Sequence, residues 1–458
     1  MKYKEELIYD LIIVGAGAAG LFAGASLPAP MKGLILEKGK APGRKLLMSG
    51  AGQCNLTHEG NIKDFITHYG ENGSRIRSLL YRFNNQAVIN FFEMKGVPLF
   101  QRADGKVFPK FLQAKEVLNA LLDSCYENGL EIVYSSQVVN IIKQDSSSTY
   151  TVQTKDQSYK TKKIIITTGG ASYPTTGSDG GFYEVIKDLG IQVNPLKPSL
   201  VPLFVQDYPY KELSGISFQN SEVTILPMDK FNEKENRNSI TISEKLKTKK
   251  IINKDALLLT HTGFSGPAIL NLSRYISIGQ QISINYYNHK PFHILKKELS
   301  AYLKGNSKQL ITALYEYFNQ DLSQASSRLP KRFLEIICLR SDMDPTQKAS
   351  QLSGKALHSV VSLITQDTYS VSGLGGFNVA MVTKGGVDLD EINIKTMECK
   401  KYPGLFFAGE VLDVDGDTGG YNLQFAFSSG YTAANGSRII SSKNHEKNSS
   451  IEKNSKHN

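Results

Sequence analysis

The chain has 458 residues, of which 40% are hydrophobic, and a formal net charge of +10. This length predicts two or three domains, and this composition excludes an intrinsically disordered chain. Four scattered cysteines without a C-x-x-C pair indicate neither a metal site nor a disulfide framework. The sequence contains no apolar run of about 18 residues, so no membrane span is predicted. We therefore expect a cytoplasmic protein without a bound metal.

The chain opens with a predicted βαβ unit. Its parts are a strand at Asp10–Val14, a helix at Ala18–Leu27 and a strand at Gly33–Glu37, joined by short connections. An amphipathic helix is predicted at Lys115–Asn128. Strands are then predicted at Leu130–Tyr134, Gln137–Ile142, Tyr150–Thr154 and Ile164–Thr168.

From about Gln192 the pattern changes to short β-branched segments, which are typical of a small β-barrel or sandwich. Helical patterns fill residues 292–365, strand patterns return near Tyr369, and a last strand at Leu405–Ala408 leads into a helix at about Tyr421–Asn435. We therefore predict a discontinuous α/β domain at 1–191 and 371–440, a β-barrel domain at 192–290, a helical domain at 291–370 and a disordered tail at 441–458.

A glycine turn follows the first strand with the spacing G-x-G-x-x-G, formed by Gly15, Gly17 and Gly20. The first glycine permits a tight turn, the second lets the backbone approach a pyrophosphate, and the third lets the helix pack closely on the strand. Glu37 ends the second strand and can accept hydrogen bonds from ribose hydroxyls. This combination predicts a dinucleotide site, and the acid disfavours NADP at this turn, which leaves FAD or NAD.

Three further segments favour FAD over NAD. Arg44 and Lys45 can meet phosphate, and Asp413 can bind ribityl hydroxyls. Because segments at both ends of the chain carry ligand-binding features, a long ligand such as FAD fits better than NAD, whose site usually completes within one doubly wound domain. The segments are Gly43–Asn55, Ile164–Gly170 and Leu405–Gln424.

The sequence resembles the NAD(P)/FAD-dependent oxidoreductases of the aminoacetone oxidase and BaiN type, along residues 10 to about 436. The matching stretches include GRKLLMSGAGQCNLTH (43–58), TTGGASYPTTGSDG (167–180), LLLTHTGFSGPAIL (257–270) and LFFAGEVLDVDGDTGGYNLQFAFSSG (405–430). This resemblance implies a glutathione-reductase-like FAD-binding domain of Rossmann type, interrupted by the β-barrel and helical domains. It also implies FAD contacts from Gly15, Gly17, Ala18, Ala19, Gly20, Glu37, Lys38, Arg44, Gly50, Asn55, Val138, Thr168, Gly169, Gly170, Gly409, Glu410, Asp413, Asn422 and Leu423, and we add Lys45 from its charge.

Two residues are candidates for acid–base chemistry beside the flavin. His261 lies in a Thr-His-Thr-Gly turn, where we favour a hydrogen-bonded structural histidine that fixes the turn before Gly263 over a catalytic role. For Tyr421 two roles are left open: its side chain approaches the flavin, or it packs at the end of the last helix. No second G-x-G-x-x-G predicts a separate NAD(P)H domain, so NAD(P)H is left open as a transient electron donor.

The sequence favours an FAD-dependent oxidoreductase that acts on a small metabolite at a pocket between the FAD domain and the inserted domain. The direction, reduction by NAD(P)H or oxidation of an amine, is left open, as is the oligomeric state. A flavin enzyme of nucleic-acid (tRNA) modification is the first alternative, motivated by the charge of +10. Much of that charge lies in the segment 229–254 and in the tail, which look like solvated segments, so a nucleic-acid partner is disfavoured. The second alternative is a non-catalytic flavin-binding redox protein.

Overall fold

A computed structural model describes residues 7–27, 31–144, 148–227, 250–287, 290–320 and 328–454, with side chains described as far as residue 438. Most of the charged segment 229–254, including Ile240–Ile242, one of the short β-branched segments predicted to form strands, lies outside these ranges. The chain divides into two compact units, and the first is discontinuous: Met1–Ser199 with Ala380–Asn458, and Leu200–Val379.

The strands and helices are numbered in chain order. The strands are β1 (Ile8–Tyr9), β2 (Leu11–Val14), β3 (Gly33–Leu36), β4 (Thr57–His58), β5 (Leu99–Gln101), β6 (Lys106–Pro109), β7 (Leu130–Val133), β8 (Val138–Lys143), β9 (Tyr150–Thr154), β10 (Ser158–Thr161), β11 (Ile164–Ile166), β12 (Val193–Ser199), β13 (Leu203–Val205), β14 (Ser217–Ile225), β15 (Ile251–Leu259), β16 (Gly263–Ser265), β17 (Gln281–Asn285), β18 (Asp367–Leu374), β19 (Val382–Val387), β20 (Ile392–Asn393), β21 (Glu398–Cys399) and β22 (Leu405–Phe407). The helices are α1 (Ala18–Ala25), α2 (Arg44–Met48), α3 (Ile62–Phe65), α4 (Arg77–Arg82), α5 (Asn85–Met94), α6 (Ala114–Glu127), α7 (Phe182–Asp188), α8 (Pro267–Leu270), α9 (Phe292–Leu303), α10 (Leu310–Asn319), α11 (Lys331–Arg340), α12 (Gly354–Thr365) and α13 (Tyr421–Asn454).

A seven-stranded sheet organises the first unit, with the strand order β20-β21-β22-β11-β2-β3-β7. The five strands from β22 to β7 are parallel, and the whole of β2 is buried, as expected for parallel strands with helices on both faces. The first helix, α1, packs on β2 and against α13, so the opening and closing segments of the chain share one core. This arrangement confirms the predicted Rossmann-type fold.

The second unit is a closed six-stranded barrel with the order β13-β16-β15-β14-β17-β18 and its own apolar core. Helices α9–α12 share that core. The side chains of Arg340 on α11 and Asp367 on β18 make a two-pronged ion pair, with nitrogen–oxygen distances of 2.7 and 2.9 Å. The predicted inserted barrel is therefore confirmed, and it is joined to the helical segment by a buried carboxylate.

Two predicted domain boundaries need correction. Strand β12 pairs with β19, so it belongs to the first unit, and the inserted unit begins at Leu200 instead of residue 192. Strand β18 follows the helical segment but closes the barrel by pairing with β13 and β17, so residues 371–374 belong to the barrel. Pairing between strands distant in sequence decided both boundaries, and local patterns do not record such pairing.

The last helix, α13, continues to Asn454, beyond its predicted end near Asn435 and into the segment predicted as a disordered tail. An established helix extends by one hydrogen bond for each added residue, which favours this continuation. The side chains of the tail lie outside the described part of the chain, and its disorder in solution stays a prediction. Across the described ranges, no helix combines the length and the hydropathy needed to cross a membrane.

Candidate functional site

The glycine turn between β2 and α1 contains glycines of two kinds. Gly15 has a φ of +105°, and a Cβ atom there would lie 2.6 Å from the carbonyl oxygen of Thr167. A Cβ atom on Gly20 would lie 2.0 Å from the carbonyl oxygen of Gly15, so this glycine is needed for packing within the protein. A Cβ atom on Gly17 would meet nothing within 4 Å. The space beside Gly17 is therefore open, as approach of a pyrophosphate requires.

The carboxylate of Glu37 stabilises this turn through the backbone. Its Oε2 accepts a hydrogen bond from the amide of Ala16 (2.8 Å), and its Oε1 accepts one from the amide of Gly39 (2.6 Å). Each carboxylate oxygen has a second lone pair, so a ribose hydroxyl can still donate to Glu37. The side chain of Lys38 makes an exposed ion pair instead, with its Nζ 2.8 Å from Asp179 Oδ1.

Gly409, after β22, contacts the start of α1. It has a φ of +78°, and a Cβ atom there would lie 2.6 Å from the Cβ of Ala19. Ala18, its neighbour on α1, is half-buried. The closing segment of the chain thus reaches the glycine turn, as the prediction of a ligand held by both ends of the chain requires.

Glu410 is at the centre of a polar cluster made from four distant segments. Its Oε2 lies 2.6 Å from Lys45 Nζ, and its Oε1 accepts hydrogen bonds from Ser172 Oγ (2.6 Å) and the Thr383 amide (2.9 Å). Burial acts to raise the pKa of the Glu410 carboxyl, but Lys45 and the hydrogen bonds hold that pKa below its usual value. A Cβ atom on Gly170 would lie 2.9 Å from this carboxylate. The sequence did not single out Ser172 or Thr383.

Two predicted FAD contacts have buried polar atoms without a hydrogen-bond partner in the described chain: Asn55 Oδ1 and Thr168 Oγ1. Leaving a buried polar group unpaired costs about 1–3 kcal/mol, a cost that pairing with a bound ligand removes. Both atoms lie in segments that the sequence assigned to the cofactor. Together with the open space beside Gly17, they show that this unit has groups suited to a polar dinucleotide such as FAD.

The other predicted contacts differ in exposure. Arg44 is exposed at the start of α2, and Gly50, with a φ of +57°, is exposed in the loop after it. Val138 is buried in β8, and Leu423 is half-buried in α13. Gly169 has a φ of +75° and lies against the Ser178 side chain. Their contact with FAD stays a prediction.

Asp413 and Asn422 bind other parts of the protein. Asp413 Oδ1 accepts from the Gly385 amide (2.8 Å), and its Oδ2 accepts from Asn194 Nδ2 (2.9 Å). The Asn422 side chain accepts from the Gly416 amide (2.8 Å) and donates to the Gly416 carbonyl (2.9 Å). Asp413 therefore ties the segment after β22 to β12 and β19, and Asn422 fixes the loop before α13. Any role in FAD binding is additional to these contacts.

Tyr421 begins α13 in a cluster of rings that the sequence did not predict. The ring of His68 stacks on Tyr421 with centroids 4.0 Å apart and planes 14° apart, and His58 is also nearly parallel to it at 5.6 Å. His68 Nδ1 lies 3.0 Å from Asp417 Oδ2. His58 and Asp417 lie in the motifs at 43–58 and 405–430, but no pattern pointed to His68.

The interpretation of His261 as a hydrogen-bonded structural histidine that fixes the turn before Gly263 is wrong. Thr260 holds this turn, since its amide and hydroxyl both donate to the Gly263 carbonyl at 2.9 and 3.0 Å. The imidazole of His261 is exposed and makes no hydrogen bond to any residue that the structure describes. A threonine hydroxyl next to the backbone closes this short turn more directly than a longer side chain can.

Comparison with known proteins agrees with the Rossmann-type fold. A family model described as "HI0933-like protein Rossmann domain" matches residues 9–436. Two relatives are named ribosomal RNA dihydrouridine synthase. The relative from Haemophilus influenzae is 32% identical over 434 residues, covering 92% of this chain and 97% of the relative. The relative from Escherichia coli is 30% identical over 428 residues, covering 93% of this chain and 97% of the relative.

A third relative, from Clostridium scindens, is named 3-dehydro-bile acid delta(4,6)-reductase. It is 25% identical over 436 residues, covering 92% of this chain and 97% of the relative. The similarity therefore extends over both units and over nearly the full length of each relative.

Proposed function

This chain belongs to the HI0933-like family of FAD-dependent oxidoreductases, and we propose that it is a reductase that saturates the carbon–carbon double bond of a uracil base in ribosomal RNA. The observation that carries the proposal is the near-complete alignment with two relatives named for this activity, 97% of each being covered. Their names point to reduction, which supports a reductase over an amine oxidase.

This proposal reverses the order of the hypotheses drawn from the sequence. A small metabolite was favoured there, and RNA modification was the alternative, with tRNA as the example. The net charge of +10 motivated that alternative, because lysine and arginine side chains release counterions when they neutralise RNA phosphates, but much of this charge lies in the segment 229–254 and in the tail.

A small unsaturated metabolite is the second candidate substrate. The relative named for a bile-acid reductase supports it, at 25% identity over 436 residues. Both candidate reactions add a hydride and a proton to a carbon–carbon double bond. The direction of the chemistry is therefore shared, and the two candidates differ in what the protein must recognise around that bond.

The first unit supplies the groups that would hold FAD. We assign the pyrophosphate to the open side of Gly17 and the start of α1, where unpaired backbone amides attract anions. Asn55 Oδ1 and Thr168 Oγ1 are assigned as hydrogen-bonding partners of the cofactor. When bound and reduced, FAD supplies the hydride, with NAD(P)H as the proposed donor of electrons. The location of the substrate pocket between the two units stays a prediction.

The test uses the purified holoprotein under anaerobic conditions. We expect NADH or NADPH to bleach the flavin, and unmodified ribosomal RNA to restore its absorbance while one uridine gains two hydrogens, detected by mass spectrometry of RNA fragments. The same RNA already containing dihydrouridine is the matched control and should not reoxidise the flavin. Reoxidation by a small enone but not by RNA would favour the metabolite, and bleaching by an amine alone would refute the reductase.

A further inference from the structure

His68 is held in one orientation by three contacts in the first unit. Its Nδ1 lies 3.0 Å from Asp417 Oδ2, and its backbone carbonyl accepts a hydrogen bond from the Asp417 amide at 2.9 Å. Its ring stacks on the buried ring of Tyr421, 4.0 Å away between centroids. A carboxylate on one imidazole nitrogen places a proton there and directs the other nitrogen away from it.

The second ring nitrogen of His68, Nε2, has no hydrogen bond to any group in the described ranges, and the side chain is 36% exposed. The imidazole is therefore partly exposed, and this nitrogen has no partner among the described residues. Asp417 is itself positioned by α13, because Asn422 Nδ2 donates to the Asp417 carbonyl at 3.3 Å as well as to Gly416. The orientation of His68 is thus coupled to the start of α13.

This start of α13 also belongs to the proposed cofactor site. Asn422 and Leu423 are predicted FAD contacts, and they directly follow Tyr421 in the chain. On the other side, Gly420 packs on the backbone of Thr57, since a Cβ atom on Gly420 would lie 2.6 Å from the Thr57 carbonyl carbon. His68 therefore stacks on the residue that directly precedes two of the predicted FAD contacts in the chain.

Other proton-carrying groups around Tyr421 are already engaged. Both ring nitrogens of His58 face carbonyl oxygens, those of Glu59 and Asp104, at 2.9 Å each. The Tyr69 hydroxyl donates to the Tyr421 carbonyl at 2.8 Å, and burial raises its pKa well above the usual value. Among these groups, His68 combines a fixed orientation with a ring nitrogen that has no partner among the described residues.

We propose that His68 is the catalytic acid of the reduction and that Asp417 is its positioning residue. This inference rests on the proposed function. His68 Nε2 donates a proton to one carbon of the uracil double bond, while the neighbouring carbon receives the hydride from reduced FAD. Reduced FAD, when bound, would supply the hydride and with it both electrons, the double bond would become a single bond, and His68 would be left as a neutral ring that regains its proton from water. General acids of this kind contribute about 100- to 10,000-fold to a rate.

The test separates the two half-reactions in His68→Gln, with His293→Gln at an exposed position of α9 as the matched control. We expect both variants to bind FAD stoichiometrically and to be reduced by NAD(P)H at the wild-type rate. Reoxidation of reduced His68→Gln by RNA should be slower by about 100-fold or more, and reoxidation of His293→Gln should be unchanged. Asp417→Asn should slow the same step by a smaller factor.

Two further readouts distinguish an acid from a residue that only packs. Added imidazole should restore reoxidation by RNA in His68→Ala, because it can deliver the missing proton. In flavin-free protein, nitrogen NMR should show a hydrogen-bonded proton on His68 Nδ1 that is lost in Asp417→Asn. This second measurement does not depend on activity.

The outcomes are distinguishable. If RNA reoxidises the wild type and His68→Gln equally fast, His68 is not the acid, and the proposed function stands. If imidazole fails to rescue His68→Ala although His68→Gln is slow, the role is structural and the inference falls. If RNA does not reoxidise the wild type, the proposed function falls together with the substrate assigned to His68.

Discussion

Lys45 and Glu410 lie 365 positions apart in the chain, yet Lys45 Nζ is 2.6 Å from Glu410 Oε2. Both residues belong to the predicted FAD site, one from the segment after the opening βαβ unit and the other from the turn after β22. Ser172 Oγ donates to the same carboxylate. The ion pair and the Ser172 hydrogen bond together therefore join three distant segments of the chain through protein groups alone.

We predict that Glu410→Gln lowers the free energy of unfolding of the flavin-free protein by about 1–2 kcal/mol, because Lys45 loses a partly buried charged partner. Urea unfolding measures this change. Lys162→Met removes an exposed ion pair with Asp10 and should cost less than about 0.5 kcal/mol. Equal losses in the two variants would contradict a special role for the Lys45–Glu410 pair.

The same pair predicts a pH dependence. The pKa of Glu410 is lowered in the folded protein, so its stabilising effect is complete above the ordinary carboxyl range and is lost as the pH falls through the folded-state pKa. The difference in unfolding free energy between wild type and Glu410→Gln should therefore be largest at neutral pH and shrink below about pH 4. A difference that grows on acidification would show that another group dominates.

The glycine turn predicts opposite outcomes for two neighbouring substitutions. Gly17→Val should fold with an unchanged melting temperature but lose FAD, because its Cβ atom meets no protein atom and enters the space assigned to the pyrophosphate. Gly20→Val should lose about 1–3 kcal/mol or more of stability, because its Cβ atom would lie 2.0 Å from the Gly15 oxygen. Flavin absorbance and thermal unfolding give both readouts. Stoichiometric FAD in Gly17→Val would refute the placement of the pyrophosphate.

Thr168 and its neighbour Thr167 are a matched pair of positions for valine substitution. Thr168→Val removes an unpartnered hydroxyl, so the flavin-free protein should be as stable as wild type or more stable, while FAD affinity should fall about tenfold. The Thr167 hydroxyl donates to the Val14 and Gly15 carbonyls at 2.9 Å, so Thr167→Val should lose about 1 kcal/mol of stability. Calorimetric titration with FAD and urea unfolding separate the effects. Unchanged FAD affinity in Thr168→Val would remove this residue from the site.

In the second unit, Asp367→Ala should lower the free energy of unfolding by about 3–5 kcal/mol, because it leaves the partly buried Arg340 guanidinium without its carboxylate. Hydroxyls of Tyr210, Tyr286 and Tyr369 also donate to Asp367. The double variant Asp367→Leu with Arg340→Met should recover much of the loss, since an apolar pair leaves no unpaired charge. A double variant as unstable as Asp367→Ala would mean that the tyrosine hydroxyls carry most of the energy.

Much of the fold was predictable because its signals are local. The run Leu11–Val14, the three glycines and the second strand lie within about thirty residues, where hydrophobic period and glycine spacing directly report a βαβ unit. The change to short β-branched segments likewise predicted the inserted barrel. The closing strand β18 was misassigned because its pairing partner β13 precedes it by more than 160 residues.

By itself, the sequence determined the dinucleotide turn and the FAD-binding fold, and it predicted the segments that approach the cofactor. Only the tertiary structure showed that Glu37 holds backbone amides, that Glu410 pairs with Lys45, and that His68 stacks on Tyr421. The physical reason is that a turn or a helix follows from neighbouring residues, whereas the partner of a charge or a ring depends on how distant segments pack. The same limit explains why a short motif suggested a structural role for His261 that the structure does not show. It also explains why no motif pointed to His68.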